Sequence, residues 1–191
     1  MSIPFQCRCG QVRGELDTAH AYVRATCYCK DCQAYARWLG SSGLTDAHGG
    51  TDIVAMAPSQ VRFTAGESQL ACMSLSDRGI YRWYAACCRT PIGNTPRNPG
   101  VPYVGVPTVA MEGAGGAVDA TFGRAGRCVA NAGSATGPVR SRPVGFAIGG
   151  LRIVLGILGS RLRRERGAPF FDPDGRPVRT PQVAAVERDP A

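Results

Sequence analysis

Short apolar segments separated by glycine, proline and aspartate make up the N-terminal part of the chain. In most of these segments apolar and polar side chains alternate, which is typical of β-strands because successive side chains point to opposite faces of a sheet. The pattern predicts strands at 11–16, 21–27, 51–56, 60–64, 69–75, 79–85 and 103–106. We therefore predict a mainly β fold, with a β domain over residues 1–110.

One segment of this domain, 31–39, lacks turn-forming residues and has helical periodicity. It places Cys32, Tyr35 and Leu39 on one side, which predicts a short helix. Asp31 stands near the start of this helix as a possible N-terminal cap.

The C-terminal part of the chain has a different pattern. Residues 111–143 are rich in glycine and alanine, which predicts a loop or linker. Residues 144–167 are predicted to form an amphipathic helix that packs on the β domain, and the proline-rich residues 168–191 an extended tail. The apolar positions that recur at helical spacing, and so define the expected packing face, are Leu151, Val154, Leu155, Leu158 and Leu162.

Positive charge is concentrated in one region. The net charge is +8, and the stretch from Arg124 to Arg166 holds nine arginines and a single acid, Glu165. The rest of the chain is balanced, so we predict no nucleic-acid partner and a solvated basic turn after the helix. Contact of residues 144–166 with an anionic membrane surface, or with nucleic acid, is a weaker alternative. Arg152 divides the apolar run into pieces far shorter than the about 20 residues that a membrane span needs, so no span is predicted.

The nine cysteines carry the most chemical information. The N-terminus has no charged segment followed by an apolar one, so no secretion signal is predicted and a cytoplasmic location is expected. The cytosol keeps thiols reduced, so the cysteines indicate metal binding rather than disulfides.

Two cysteine pairs, Cys7 with Cys9 and Cys27 with Cys29, are separated by one residue, and such pairs share one face of a strand. Cys32 follows at Cys-x-x-Cys spacing, at the start of the predicted helix. Three thiol ligands therefore lie in one short segment without a fourth nearby, which is the pattern of an open, catalytic zinc site.

Alternatives to an open site remain at this point. In one alternative, a distant fourth ligand, Cys72 or Cys128, closes the site. Cys72 has the pattern of a buried strand residue, however, and Cys128 that of an incidental free thiol. The spacing of Cys29 and Cys32 also fits a redox dithiol, but the chain lacks the alternating strands and helices of thioredoxin-like proteins.

Cys7 and Cys9 need partners to form a second site, and Cys87 and Cys88 are the obvious source. Adjacent residues of a strand point to opposite faces, so both can bind one ion only if the chain turns there. In the alternative, Cys88 alone is a ligand and Cys87 packs in the core.

Three motifs together resemble a known family: Cys-Arg-Cys-Gly at 7–10, Cys-Tyr-Cys-Lys-Asp-Cys-Gln at 27–33 and Cys-Arg-Thr-Pro-Ile-Gly at 88–93. They are similar to the glutathione-dependent formaldehyde-activating (GFA) enzymes, which have an Mss4-like β fold with two zinc sites. The stretches 50–53 and 82–94 further resemble an uncharacterised bacterial subfamily of the DUF6151 type.

The resemblance implies one or two Zn²⁺ ions. A structural zinc would bind Cys7, Cys9 and a later Cys-x-x-Cys pair, and a catalytic zinc would bind Cys27, Cys29 and Cys32. The later pair departs from the family pattern, because its first cysteine falls on Ala85. Cys87 would then substitute for it beside Cys88.

The function implied by the resemblance is that of a carbon–sulfur lyase acting on thiol–aldehyde adducts such as S-hydroxymethylglutathione. Its partner would be a small-molecule thiol such as glutathione, and Cys27, Cys29 and Cys32 would form its catalytic site. The alternative is a zinc-stabilised binding or scaffold module without catalysis, since a fold does not determine a function.

Overall fold

The computed structural model of the chain describes residues 1–40, 43–114, 116–165 and 167–184. The predicted mainly β class is confirmed, and the architecture is consistent with an Mss4-like fold. In chain order the strands and helices are β1 Ser2–Gln6, β2 Arg13–Asp17, β3 Val23–Cys27, α1 Lys30–Leu39, β4 Thr51–Met56, β5 Val61–Ala65, β6 Leu70–Ser74, β7 Tyr81–Ala85, β8 Thr90–Thr95, β9 Val104–Pro107, α2 Ala117–Phe122, β10 Val129–Ala130, α3 Pro143–Leu162 and β11 Gln182–Val183.

Two sheets form the body of the molecule. The smaller has three antiparallel strands in the order β1-β2-β5, and the larger has eight in the order β10-β3-β4-β9-β8-β7-β6-β11. The two edge strands of the larger sheet, β10 and β11, pair in parallel with β3 and β6. Each of the seven segments with strand periodicity contributes a strand, whereas β1, β8, β10 and β11 were not predicted from the pattern.

The main core lies between the sheets, since apolar side chains of both belong to one buried cluster, and two smaller clusters lie beneath α1 and α3. Phe5 on β1 and Trp83 on β7 are among its largest fully buried members. Phe170, from the C-terminal tail, is also fully buried, with its ring centroid 5.2 Å from that of Trp83. The tail is therefore anchored in the core before it adds β11 to the sheet edge, and its residues 185–191 lie outside the described residues.

The segment 111–143, expected to be a loop or linker, also contributes ordered elements. It contains α2 and β10, and Val118 on α2 is buried in the core. β10 matters for the site below because Ala130 pairs with Cys27 at the end of β3.

Helix α1 begins one residue earlier than predicted, and its N-cap is Cys29 rather than Asp31. The Cys29 thiol accepts a hydrogen bond from the Cys32 backbone N–H at 3.3 Å, which satisfies one of the free donors of the first turn. Gly40 ends the helix in the left-handed conformation, at φ 61°, that glycine adopts without strain.

Helix α3 is present where it was predicted, but the expected packing face is wrong. Every residue of the predicted stripe is between 50% and 86% exposed: Leu151, Val154, Leu155, Leu158 and Leu162. Ile153 and Ile157 pack on the body instead, and the rest of the contacting face is made of small residues. A side chain at Gly149 would overlap the Cys128 thiol, and one at Gly156 the Tyr22 ring, so glycine permits the close approach.

By length and composition α3 could cross a membrane, and only 11% of it is buried. These criteria alone are weak evidence for a span. Residue 166, at the end of the predicted helix, lies outside the described residues.

Candidate metal centres

The first cysteine cluster lies where two turns meet. Cys7 and Cys9 belong to the turn between β1 and β2, and Cys87 and Cys88 to the turn between β7 and β8. The Sγ atoms of Cys9 and Cys87 are 3.3 Å apart, those of Cys7 and Cys9 3.5 Å, those of Cys7 and Cys87 3.8 Å, and those of Cys87 and Cys88 3.9 Å. Four thiolates at about 2.3 Å from a zinc ion in a tetrahedron would be about 3.8 Å apart, so the cluster could hold such an ion.

Local hydrogen bonds shape the first of these turns. Gly10, at φ 73°, donates its backbone N–H to the Cys7 carbonyl at 2.8 Å, and the Val12 N–H points to the Cys7 thiol at 3.2 Å. The Arg8 N–H donates to the Thr90 hydroxyl at 2.9 Å and so ties the two turns together.

The second turn explains how adjacent cysteines can face the same point. The Arg89 N–H bonds the Ala85 carbonyl at 2.8 Å, and Arg89 itself is left-handed at φ 56°. Cys87 and Cys88 therefore lie in a tight turn and not on a strand, so their side chains need not alternate. The alternative that places Cys87 in the core is wrong, because Cys87 is exposed.

Burial and hydrogen bonding set the thiol pKa values in this cluster. Burial raises the pKa of Cys7. Burial would also raise the pKa of Cys88, but hydrogen bonds from the Thr90 hydroxyl and from backbone N–H groups outweigh it and lower that pKa to about 6. Cys88 is thus prepared to be a thiolate, the form that binds a metal.

The second cluster lies at the junction between β3 and α1. Cys27 ends β3, Cys29 caps α1 and Cys32 lies in the first turn of α1, with all three Sγ atoms within 4.8 Å of one another. The N-terminus of a helix favours thiolates through its free N–H groups and its dipole. Among the described residues no further Cys, His, Asp or Glu joins this group, so it offers three protein ligands.

The three thiols share their protons unequally. Hydrogen bonds from Cys29 and Cys32 lower the pKa of Cys27 far below its usual range. The pKa of Cys32 is raised instead, by hydrogen bonds with Cys27 and Cys29. The side-chain amide of Asn131 on the neighbouring segment lies 3.6 Å from the Cys27 thiol.

A buried arginine next to this cluster was missed in the sequence. Arg82 on β7 is 2% exposed, and its Nη1 lies 4.0 Å from the Cys32 thiol and 3.4 Å from Asn94 Oδ1. Its guanidinium stacks on the Tyr35 ring at 4.9 Å. In the part of the chain that the structure describes, no carboxylate forms an ion pair with Arg82. The sequence feature that could have identified Arg82 is its position inside strand 81–85, whose other residues are apolar or aromatic.

Tyr103 is a second residue that the sequence did not single out. Burial raises the pKa of Tyr103, and the nearby Cys27 and Cys32 raise it further. The phenol therefore lies within electrostatic reach of two of the three thiols.

The remaining cysteines do not complete either cluster. Cys72 is buried on β6, opposite Trp83, and Cys128 is buried beneath α3. Neither belongs to the group of Cys27, Cys29 and Cys32, so the predicted closure by one of them is not observed. In the described structure all seven predicted ligands fall into two groups, one of four thiols and one of three.

Comparison with known proteins places most of the chain in one family. Residues 1–180 match a family of unknown function, DUF6151. A crystal structure of a Rhodobacter sphaeroides protein is similar at 21% identity, over 58% of this chain and 89% of that chain, with a TM-score of 0.39, which is too low to support an argument. No curated protein matches the chain.

Proposed function

The chain belongs to the DUF6151 family, whose function is unknown, and we propose from its own residues that it is a zinc-dependent enzyme of the GFA type. It would form or cleave the carbon–sulfur bond of a thiol–aldehyde adduct such as S-hydroxymethylglutathione. The observation that carries this proposal is the difference between a cluster of four thiols and a cluster of three in one small domain.

Zinc is the metal that we assign to both clusters. An all-thiol donor set suits zinc, and four thiols complete its tetrahedron whereas three leave one position for a substrate. Cys7, Cys9, Cys87 and Cys88 would hold the structural ion, and Cys27, Cys29 and Cys32 the catalytic one. Bound zinc would supply an acidified, oriented substrate thiol.

The reaction needs little beyond orientation of the two reactants. The sulfur of the thiol bonds to the carbonyl carbon of formaldehyde, and the thiol proton is transferred to the carbonyl oxygen, so that a hydroxymethyl thioether forms. The reverse reaction breaks the same carbon–sulfur bond and releases both compounds. Holding sulfur and carbon together removes much of the entropic barrier.

The positive charge of Arg82 favours an anionic substrate at the three-thiol cluster. With Zn²⁺ bound, three cysteine thiolates would leave one net negative charge, and an anionic substrate would add a second. A buried cation 4.0 Å from the Cys32 thiol offsets that excess in a region where water screens charges poorly. Cys27 and Cys29 are only partly buried, so a thiol can reach the cluster from their side, whereas the Cys32 ligand atom is buried.

Cobalt substitution tests the proposal because thiolate–cobalt absorption reports each added sulfur ligand. We expect glutathione to change the spectrum of the dicobalt protein, and Cys29→Ser to abolish that change. Cys72→Ala is the matched control, since it removes a buried cysteine from outside both clusters.

A spectrum that glutathione leaves unchanged would favour the alternative function, a zinc-stabilised scaffold without catalysis. The activity itself is followed by NMR of glutathione with ¹³C-formaldehyde. The enzyme should accelerate exchange between the free and adduct signals, and Cys29→Ser should not.

A further inference from the structure

Helix α3 presents a continuous apolar face to solvent. The side chains that form it are all exposed and recur at intervals of three and four residues: Val144, Ile148, Leu151, Leu155, Leu158 and Leu162. We propose that this face docks the protein on the surface of an anionic phospholipid bilayer, with α3 lying in the plane of the interface.

The outward direction of this face is built into the sequence. Gly149 and Gly156 lie against Cys128 and Tyr22 with no room for a Cβ atom. Ile153 and Ile157 pack on the body from the same side of the helix, so the leucines on its opposite side face away from the body. Ser160 fixes the C-terminal half through a 2.9 Å hydrogen bond to the Tyr22 hydroxyl, which in turn donates to the Pro102 carbonyl at 2.8 Å. These contacts fix the orientation of α3 on the body, and with it the outward direction of the exposed leucines.

Arginines border the apolar face on both sides. Arg152 follows Leu151 and Arg161 precedes Leu162. At about 100° per residue these guanidinium groups leave the helix to opposite sides of the leucine line. Long arginine side chains at such a border can reach lipid phosphates while the leucines enter the acyl region.

A basic cavity of about 420 Å³ adjoins the N-terminal half of α3. Arg127 and Arg152 line it together with the hydroxyls of Thr18 and Thr121. Among the described residues no carboxylate forms an ion pair with either arginine. This cavity could receive an anionic headgroup, which gives the charge complementarity that the apolar face alone lacks.

Charge also argues against a second copy of the chain as the occupant. The spacing of the leucines would suit a pair of α3 helices. However, the charged residues beside the face are arginines, and a two-fold partner would set arginine against arginine. The acid that follows, Glu165, is already paired with Arg163 at 2.8 Å.

A transmembrane arrangement would require α3 to leave the body. The hydrogen bond between Ser160 and Tyr22, and one from Arg161 Nε to the Gly100 carbonyl at 3.0 Å, would both be lost. A helix in the plane of the interface keeps these contacts and buries only the face that is already exposed.

Vesicle sedimentation with the full-length, zinc-loaded protein tests the proposal. We expect binding to vesicles of phosphatidylcholine with phosphatidylglycerol, and at least tenfold weaker binding to phosphatidylcholine alone. Leu155→Glu combined with Leu158→Glu should weaken binding to the anionic vesicles at least tenfold. Ile80→Glu, a change at an exposed apolar residue away from α3, should leave it unchanged.

Zinc content and melting temperature of the double variant should equal those of the wild type, since both leucines are exposed. That control separates this proposal from the proposed enzymatic function. Absence of vesicle binding would overturn it, as would a dimer that the double variant dissociates without any effect on vesicles. Resistance of vesicle-bound protein to alkaline carbonate would also overturn it, because that is the behaviour of a membrane span.

Discussion

The two cysteine clusters differ in how the chain assembles them. Cys9 and Cys87 meet across 78 residues and tie a turn of the small sheet to a turn of the large one. Cys29 and Cys32 are three residues apart and meet within one cap of one helix. A link between distant residues restrains the unfolded chain more than a local link does. We therefore expect the four-thiol cluster to contribute more to stability than the three-thiol cluster, to which the proposed chemistry is assigned.

The largest effect that we expect is on stability, and it should follow the cluster that spans the chain. By analogy with a covalent cross-link, closing a loop of this length stabilises a protein by roughly 4 kcal/mol, and closing a very short one by roughly 2 kcal/mol. Cys9→Ser should therefore lower the free energy of unfolding of the zinc-loaded protein more than Cys29→Ser does.

Urea titrations with and without EDTA measure this difference. In EDTA the two variants should be about equally stable, because neither cluster then links the chain. If Cys29→Ser lowered the free energy of unfolding of the zinc-loaded protein more than Cys9→Ser, the three-thiol cluster would be the stabilising one, contrary to the assignment made here.

An intermediate effect is expected at Arg82. Groups next to metal ligands typically change metal affinity about 10- to 100-fold. Arg82→Gln should weaken zinc binding at the three-thiol cluster by that factor and leave the four-thiol cluster unchanged, since the cluster cysteine that Arg82 contacts is Cys32.

Competition with a chromophoric chelator resolves the two zinc ions. Arg82→Lys should restore part of the affinity because it retains the charge. Arg97→Gln is the matched control, since Arg97 bonds Gly79 and Tyr81 and contacts neither cluster. Equal weakening of both ions by Arg82→Gln would show a general loss of structure instead.

The smallest effect concerns the support behind the three-thiol cluster. Tyr28, between Cys27 and Cys29, donates its hydroxyl to Asp46 Oδ2 at 2.7 Å. Burial would raise the pKa of Asp46, but hydrogen bonds from Tyr28 and from the Gly50 and His48 N–H groups lower it. The carboxylate therefore adds stability above its unfolded pKa of about 3.9, and this stability is lost as the pH falls through the lower folded value.

Asp46→Asn should thus cost less than about 1 kcal/mol at neutral pH, because Asp46 is exposed to solvent. Thermal melts in EDTA measure the difference from the wild type. This difference should stay constant between about pH 5 and 7 and shrink below about pH 4. A difference that grows on acidification would contradict the lowered pKa.

The parts of the molecule that were predictable are those with local causes. Strand alternation depends on neighbouring residues, and it indicated the strands that carry the body of both sheets. The three-thiol cluster was equally readable, because Cys27, Cys29 and Cys32 lie on one short strand-to-helix junction. The expectation of an open position rests on a count of ligands in that segment, and it stays a prediction.

The features that were missed depend on distant contacts. Nothing local indicates that Arg82 on β7 reaches the start of α1. Cys87 and Cys88 were named as partners of Cys7 and Cys9, but the choice between both and Cys88 alone depends on the turn between β7 and β8, which the sequence did not decide. The packing face of α3 was misassigned because large apolar residues were taken to mark the buried side. The buried side instead combines Ile153 and Ile157 with glycines such as Gly149, whose role appears only when their neighbours are known.

The most direct test of the two-cluster account is zinc per chain in purified protein. The account predicts two ions in the wild type and one in each of Cys9→Ser and Cys29→Ser, with the remaining ion responsive to added thiol only in Cys9→Ser. If Cys9→Ser does not fold, Cys88→Ser is measured in its place. A wild type that holds one ion or none, or a single variant that loses both ions while still folded, would contradict the claim that the clusters are separate metal sites.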